Sequence, residues 1–392
     1  MKKMEEKSLG PQSLSFLHRH EKAMVQLLRQ FVECESPSHD KGAVDRFGAT
    51  VAAEWRKRGA IVRVIAQKKS GNHLRIEIPA QSSKGRSGTG QLLILGHLDT
   101  VYPVGTLEKM PFRVAGGRAF GPGAFDMKAG LVQALFAVDA MRAAGHVPEK
   151  QLVFFWNSDE EIGSGSSRRL IEAEARRSDA VFVLEPSLGP NGDLKTQRKG
   201  VGTAEIIVHG RAAHAGIEPE AGVNAVHELA LQVHRLMKMN NAKKGITVQA
   251  TVISGGGASN VVPAEARAQV DMRCTRLADV VQLNQQMRGL RPILKGAKLE
   301  VRGEINRPPL ERTEGVVKLF KHARSLMGEM GLDLGEAATG GGSDGNFTAA
   351  LGVPTLDGLG AVGDGAHGTR EHVVIRAMPE RAALLAALLL TS

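Results

Sequence analysis

A chain of 392 residues, 42% of them hydrophobic, can bury a large core, and its length favours two domains over one. Its two cysteines, Cys34 and Cys274, are too few and too far apart in sequence for a disulfide framework or a thiolate zinc cluster, so any bound metal must use His and carboxylates. The net charge of +10 is spread over scattered lysines and arginines without interleaved aromatics, which are 4% of residues, so no nucleic-acid partner is expected.

The opening stretch MKKMEEKSLGPQS has no apolar h-region, and no segment approaches the ~20 apolar residues that span a bilayer, so a cytoplasmic protein without membrane contact is expected. Leu14 to Val32 carries Leu17, Met24, Leu27, Leu28 and Phe31 at helical spacing and is predicted as one amphipathic helix, ended by Ser36, Pro37 and Ser38. A second helical pattern lies around Ala49 to Arg58. Alternating, half-buried strands follow at Ile61 to Ile65 and Leu74 to Ile78. Gln81 to Gly90 is polar and glycine-rich and is predicted as an exposed turn or mobile loop.

The stretch QLLILGHLDT, Gln91 to Thr100, organises what comes next. Leu92 to Leu95 is a continuous apolar run, as in a parallel strand covered on both faces, and it ends at Gly96 before His97 and Asp99. In open α/β sheets, ligands bind beyond the carboxyl ends of the strands. The same grammar recurs where Leu152 to Trp156 runs into Asp159, Glu160 and Glu161, and where Ala180 to Leu184 runs into Glu185. Between them the glycine-rich GPGAFDMKAG, Gly121 to Gly130, carries Asp126 into a helical pattern from Met127 to Ala144. One His and several carboxylates at successive strand ends form a plausible cage for one or two divalent metals.

Beyond Gly189 to Gly192 the rhythm changes. Val201 to Val208 is strand-like, Val223 to Met239 helical, Ile246 to Ile253 and Ala264 to Cys274 strand-like, Leu277 to Leu290 helical, and Lys298 to Val301 strand-like. This β-α-β-β-α-β order is the ferredoxin-like split unit, and it predicts an inserted domain over 201–311 between halves of a discontinuous domain at 1–200 and 312–392. After Pro308 and Pro309 come a helix from Glu314 to Met330, the loop TGGGSDG from Thr339, a strand-like VPTLD from Val353, a polar loop with His367, and a closing helix from Pro379 to Leu390.

Taken singly, each candidate has a plain structural explanation. A His after a strand is usually a hydrogen-bonded loop residue, Glu160 and Glu161 could be solvated charges ahead of a helix cap, and Asp126 could stabilise a helix N-terminus. Their joint occurrence at strand ends is what changes the reading. In this order and spacing, GHLDTVYP, GPGAFDMKAG, SDEEIGSGSS, LEPS and RAAHAG resemble the M20 family of dinuclear zinc peptidases and deacylases, which includes glutamate carboxypeptidase, succinyl-diaminopimelate desuccinylase and acetylornithine deacetylase. The resemblance covers almost the whole chain. One departure is Ala129, where the family's Asp-Met-Lys-Gly-Gly has a glycine; it touches packing at a helix start and not a ligand.

The resemblance implies an α/β catalytic domain with a mixed, mostly parallel sheet and helices on both faces, and an inserted domain that dimerises. It implies two Zn²⁺, with Co²⁺ or Mn²⁺ also compatible with such ligands. Asp126 would bridge both metals, His97 and Glu185 would complete one site, and Glu161 and His367 the other, with His367 preferred to His372. Glu160 would be the general base and Asp99 would hold the His97 imidazole in the ligating tautomer. His214 would reach the active site of a partner subunit and stabilise the oxyanion of the tetrahedral intermediate.

For the substrate, Asn260 and Arg273 match positions that in glutamate carboxypeptidase-like members bind a carboxylate, and Gly341, Gly342 and Ser343 would offer backbone N–H groups to the same anion. The expected activity is hydrolysis of an N-acyl amino acid or peptide with a free carboxylate, releasing C-terminal glutamate or aspartate. The alternatives are a deacylase of the acetylornithine or succinyl-diaminopimelate type and, from another class, a non-catalytic amino-acid or peptide binder.

Overall fold

In a computed structural model, residues 9–80 and 90–392 are described, so the predicted loop at Gln81 to Gly90 lies outside the described residues except at its end. The chain forms two compact units. The first takes the residues up to Thr196, Arg312–Ala338 and Ser343–Ser392; the second takes Gln197–Glu311 and Thr339–Gly342.

The first unit is built on a six-stranded sheet. Its order is Ile61–Ile65, His73–Ile78, Gln151–Asn157, Gln91–His97, Ala180–Val183 and Thr355–Leu356. The last four strands are mutually parallel and the first two join antiparallel, giving a mixed and mostly parallel sheet. Gln91–His97 is buried throughout, because helices cover both faces. Leu92 and Ile94 join the larger core with Trp55, Leu135 and Leu385, while Leu93 and Leu95 pack with Ile171 and Ala175 of the helix Arg168–Ala175 on the other face. Within this sheet Gln151–Asn157, the next strand in sequence, lies on one side of Gln91–His97 and Ala180–Val183, the one after it, on the other. The carboxyl end of Gln91–His97 is therefore the switch point at which such sheets open a crevice.

The second unit is a four-stranded antiparallel sheet in the order Thr247–Gly255, Glu265–Cys274, Gly200–His209, Lys298–Arg307, with helices Ala225–Met237 and Leu277–Arg288 packed on it. This is the split βαββαβ arrangement. The predicted strand Lys298 to Val301 runs on to Arg307, because Gly303, at φ +101°, lets the chain continue where the apolar alternation stops.

Two other elements differ from the sequence prediction. The expected helix Leu14 to Val32 is two helices, Leu9–Arg19 and Glu21–Glu33. At His20 the imidazole Nδ1 sits 2.8 Å from the Phe16 carbonyl, the acceptor an unbroken helix would give to the His20 N–H, and that N–H bonds to Leu17 instead. The helix expected around Ala49 begins earlier, at Lys41, because Asp40 caps it by accepting from the Ala43 N–H.

Gly130 shows what the helix Ala129–Ala143 requires at its start. A Cβ there would lie 2.5 Å from the Leu184 carbonyl oxygen, whereas Ala129 is fully buried without needing to be glycine. Gly130→Ala is expected to destabilise the protein by ~1–3 kcal/mol, read as a lowered denaturant midpoint with unchanged m. An unchanged midpoint would mean that the helix does not sit tightly on the Leu184 strand end.

Candidate active site

His97 ends its strand in register with Asn157, so the turn after Asn157 and the residues after Val183 meet it at one sheet edge. Asp126 lies in the tight turn Ala124–Lys128, Glu160 and Glu161 in the single turn Glu160–Ile162, and Glu185 two residues past Ala180–Val183. His367 sits in a loop between the short strands Gly363–Asp364 and His372–Val374. These belong to a small antiparallel sheet whose next strand, Arg118–Phe120, leads into the Asp126 turn.

The five expected ligands converge. His97 Nε2 lies 3.3 Å from Asp126 Oδ1 and 3.5 Å from Glu185 Oε1; His367 Nε2 lies 3.4 Å from Asp126 Oδ2 and 3.3 Å from Glu161 Oε2. The two imidazoles thus face the two oxygens of one carboxylate. Donor atoms of His97, Glu160 and Glu185 fall within 4.8 Å of one another, as do those of His97, Asp126 and Glu161. His372 is elsewhere, in its strand beside Phe120, with Nδ1 against the Arg370 carbonyl. His367 adopts φ +61°, a left-handed conformation that a non-glycine residue takes up only when its surroundings hold it there.

The neighbours of these residues fix their chemistry. His97 Nδ1 is 2.9 Å from the Asp99 backbone carbonyl, which can only accept, so Nδ1 carries a hydrogen and Nε2 is the atom turned toward Asp126 and Glu185, where it would ligate a metal. The tautomer is therefore held mainly by the Asp99 main chain; its carboxylate is further off, at 3.5 Å. That carboxylate accepts from Ser38 Oγ at 2.7 Å and from the Glu160 and Glu161 N–H groups at 3.2 Å, pinning the turn that bears both glutamates.

Three positioning groups had no role assigned from the sequence. Glu371, fully buried, accepts from the N–H groups of Gly123, Phe125 and Asp126 and from the Tyr102 hydroxyl, and so cradles the Asp126 turn. Asp159 accepts from Ser166 and Ser167. Asp344 accepts from Asn157 Nδ2 at 2.7 Å and from Ser164. The last two brace the turn of Glu160 from behind, and the only sequence signal for them was their place inside quoted motifs. Burial raises Glu371 to about 7, against the hydrogen bonds that favour its ionised form. Glu371→Ala is expected to weaken metal binding about 10–100-fold, measured by competition with a chromophoric chelator; unaltered affinity would show that Asp126 needs no such cradle.

A metal fits this donor set. Glu161 Oε1 is buried without a hydrogen-bond partner among the described residues, an atom whose desolvation a cation would offset. The Nε2-to-carboxylate separations of 3.3–3.5 Å are also longer than ordinary N–H···O bonds. Burial opposes charge on His97, yet Asp126, Asp99 and Glu185 outweigh it and raise its pKa well above 6.5. His367, beside Asp126 and Glu161, is raised to about 10. In the metal-free site the carboxylates thus hold protons on both imidazoles, where a cation would otherwise balance them.

In the second unit, His214 Nδ1 accepts from the Gly216 and Ile217 N–H groups, both at 3.1 Å, so Nε2 carries the hydrogen and is a donor on an exposed ring. Asn260 is exposed and its carbonyl accepts from Ala215, which ties it to the His214 loop. Arg273 pairs with Asp271 through Nε and Nη2 and donates from Nη1 to the Gly340 carbonyl, which leaves two of its five N–H groups unengaged among the described residues. The Gly341 and Gly342 carbonyls accept from Arg198. Ser343 is a correction to the expected anion site: it is fully buried, its N–H donates to Asn346, and its hydroxyl bonds Asp357 and the Gly345 N–H, so it has nothing left to offer an anion.

The profile of peptidase family M20/M25/M40 matches residues 93–391. Carboxypeptidase G2 of Pseudomonas sp. (strain RS-16) is 33% identical over 372 residues, covering 94% of this chain and 89% of its own length. A succinyl-diaminopimelate desuccinylase of Dechloromonas aromatica (strain RCB) is 30% identical over 321 residues, covering 76% and 83% respectively. Among solved structures, aminopeptidase PepT from Bacillus cereus ATCC 10987 superposes with a TM-score of 0.74 at 20% identity, over 94% of this chain and 98% of that one. The YXEP protein of Bacillus subtilis, a dinuclear metal-binding peptidase from the M20 family, does so with a TM-score of 0.69 at 14% identity, over 95% and 98%.

Proposed function

The chain belongs to peptidase family M20/M25/M40, and from that membership and the site geometry we propose that it is a dinuclear metallohydrolase releasing C-terminal glutamate or aspartate from an N-acyl amino acid or peptide. The observation that supports this most directly is the facing of two imidazole Nε2 atoms onto the two oxygens of Asp126, with Glu160 alongside. Asp126 would bridge, with His97 and Glu185 on one side and Glu161 and His367 on the other. The His and carboxylate donors suit Zn²⁺, Co²⁺ or Mn²⁺. When bound, such a pair supplies Lewis acidity at the scissile carbonyl and an acidified water.

The chain's own groups do the rest. Glu160 takes the proton of the attacking water as the carbon–oxygen bond forms and passes it to the amine nitrogen as the carbon–nitrogen bond breaks. His214 Nε2, already fixed as a donor, would stabilise the oxyanion in a partner subunit. That role requires a homodimer paired through the second unit, and Thr247–Gly255, an edge strand exposing Val252 and Ile253, is suited to such pairing. Asn260 and the two remaining N–H groups of Arg273 would take the substrate carboxylate, supported by the loop Gly340 to Gly342.

The test is amino-acid release by the metal-loaded protein from N-acyl amino acids and dipeptides, with a chelated control. Chelator-sensitive release of glutamate or aspartate is expected. Turnover only of succinyl-diaminopimelate or acetylornithine would transfer the assignment to the deacylase branch, to which the desuccinylase likeness points. Ligand binding without any hydrolysis would make the chain a binder.

A further inference from the structure

His73, the first residue of the strand His73–Ile78, is fully buried, and both of its ring nitrogens are engaged. The registered ladder with Gln151–Asn157 ends at Leu74 and Trp156, and just beyond it the Ser158 N–H points to His73 Nδ1 at 3.2 Å. Ser158 Oγ is also near, at 3.1 Å, but its hydrogen goes to the Gly71 carbonyl. Nδ1 is therefore an acceptor, and the ring hydrogen sits on Nε2, which donates to Ser166 Oγ at 3.1 Å. Ser166 Oγ in turn donates to Asp159 Oδ2 at 2.7 Å. Burial outweighs the pull of Asp159 and Asp99 and holds the imidazole below its ordinary 6.5, so the neutral ring that this direction requires is the one present.

We infer that His73 is a positioning residue for the turn that bears Glu160 and Glu161, acting through Ser166 on the carboxylate of Asp159. The inference rests on the hydrolase reading above and deepens it. Asp159 immediately precedes the single turn Glu160–Ile162, and its carboxylate is placed by the Ser166 N–H and by the hydroxyls of Ser166 and Ser167. A serine hydroxyl has one hydrogen and turns freely, so what aims it decides what it holds. The Nε2–H of His73 occupies a lone pair of Ser166 Oγ and leaves its hydrogen for Asp159. Asp99 already holds the N–H groups of residues 160 and 161; the His73 chain fixes the residue before them. A leucine at position 73 could fill the space but would aim nothing and would leave the Ser158 N–H short of its acceptor.

The experiment measures Zn²⁺ affinity by competition with a chromophoric chelator, and kcat and KM for hydrolysis of an N-acyl-glutamate. It uses the full-length parent, His73→Gln, His73→Asn, Ser166→Ala and the double variant His73→Asn/Ser166→Ala. A glutamine amide reaches the place of Nε2 and keeps the donor to Ser166, whereas an asparagine amide reaches only the place of Nδ1. His73→Asn and Ser166→Ala are each expected to weaken one metal equivalent about tenfold and to lower kcat by a similar factor at unchanged KM. His73→Gln is expected to stay near the parent, and the double variant to be no worse than Ser166→Ala alone, because both changes act through one bond. Equal losses in His73→Gln and His73→Asn, losses that add in the double variant, or Ser166→Ala at the parent's values would overturn the inference, since a residue that merely fills the core gives those results. Should His73→Asn fail to fold, Ser166→Ala, at a half-buried position, decides alone. Weakened metal binding in the variants of a parent that hydrolyses nothing would sink the hydrolase reading and leave the positioning role standing. Hydrolysis by the parent with every variant unchanged would do the reverse.

Discussion

Glu160→Gln is expected to lower kcat about 10²–10⁴-fold while leaving two equivalents of metal bound. Gln keeps the length and shape of the side chain but cannot accept a proton. The turn that carries it is held by backbone N–H groups of residues 160 and 161 bonded to Asp99, and these the substitution leaves intact. The geometry also poses a sharp rival. Donor atoms of Glu160 lie in one cluster with His97 and Glu185, so Glu160 could instead be a ligand. Against that stands the pairing of His367 with Glu161, not Glu160, and the bridging position of Asp126, which already gives His97 and Glu185 a third companion. Metal content per chain separates the two: a loss of one equivalent in Glu160→Gln would make it a ligand, and turnover within tenfold of the parent would remove it from the proton transfer altogether.

Most of the sheet was legible because its central strands are buried on both faces, and burial writes continuous apolar runs such as Leu92 to Leu95 and Leu152 to Trp156 into the sequence. The residues at their ends then fell at one edge by topology alone. What was hidden is of three kinds. Strands of two or three residues, such as Gly363–Asp364 and Arg118–Phe120, carry too little periodicity to be seen, though they hold the His367 loop beside Asp126. Side chains that act on the backbone, as His20 does on Phe16 and Glu371 on the Asp126 turn, depend on angles that spacing does not encode. Ser343 was misread, and Asp344 passed over, for a related reason. A glycine-rich loop suggests an anion cradle, but burial turns these two side chains inward, Ser343 onto Asp357 and Asp344 onto the turn of Glu160.

The second large effect is expected at Asp126, because one carboxylate serves both halves of the site. Asp126→Asn should lose both metal equivalents and with them turnover, since an amide presents one neutral oxygen and an NH₂ donor where Asp126 turns two carboxylate oxygens toward the two imidazole Nε2 atoms. The metal-free proteins should differ as well. Burial acts against ionisation of Asp126, but His367 and His97 overcome it and hold the carboxyl well below its ordinary 3.8, so this contribution to stability is present above that value and lost as pH falls through the depressed one. His367 runs the other way: raised to about 10 from 6.5, it contributes fully below 6.5 and loses that contribution as pH rises through about 10. Without metal, the parent should therefore lose stability between pH 6.5 and 10, and Asp126→Asn should show a flatter profile over the same window because one of the two carboxylates beside His367 is gone. Metal uptake by the parent must expel these imidazole protons, so its affinity should rise with pH across that window. Thermal midpoints of the chelated proteins and equilibrium dialysis against Zn²⁺ at pH 6 and 8 measure both, and an Asp126→Asn protein that still binds two ions per chain would show that the bridge lies elsewhere.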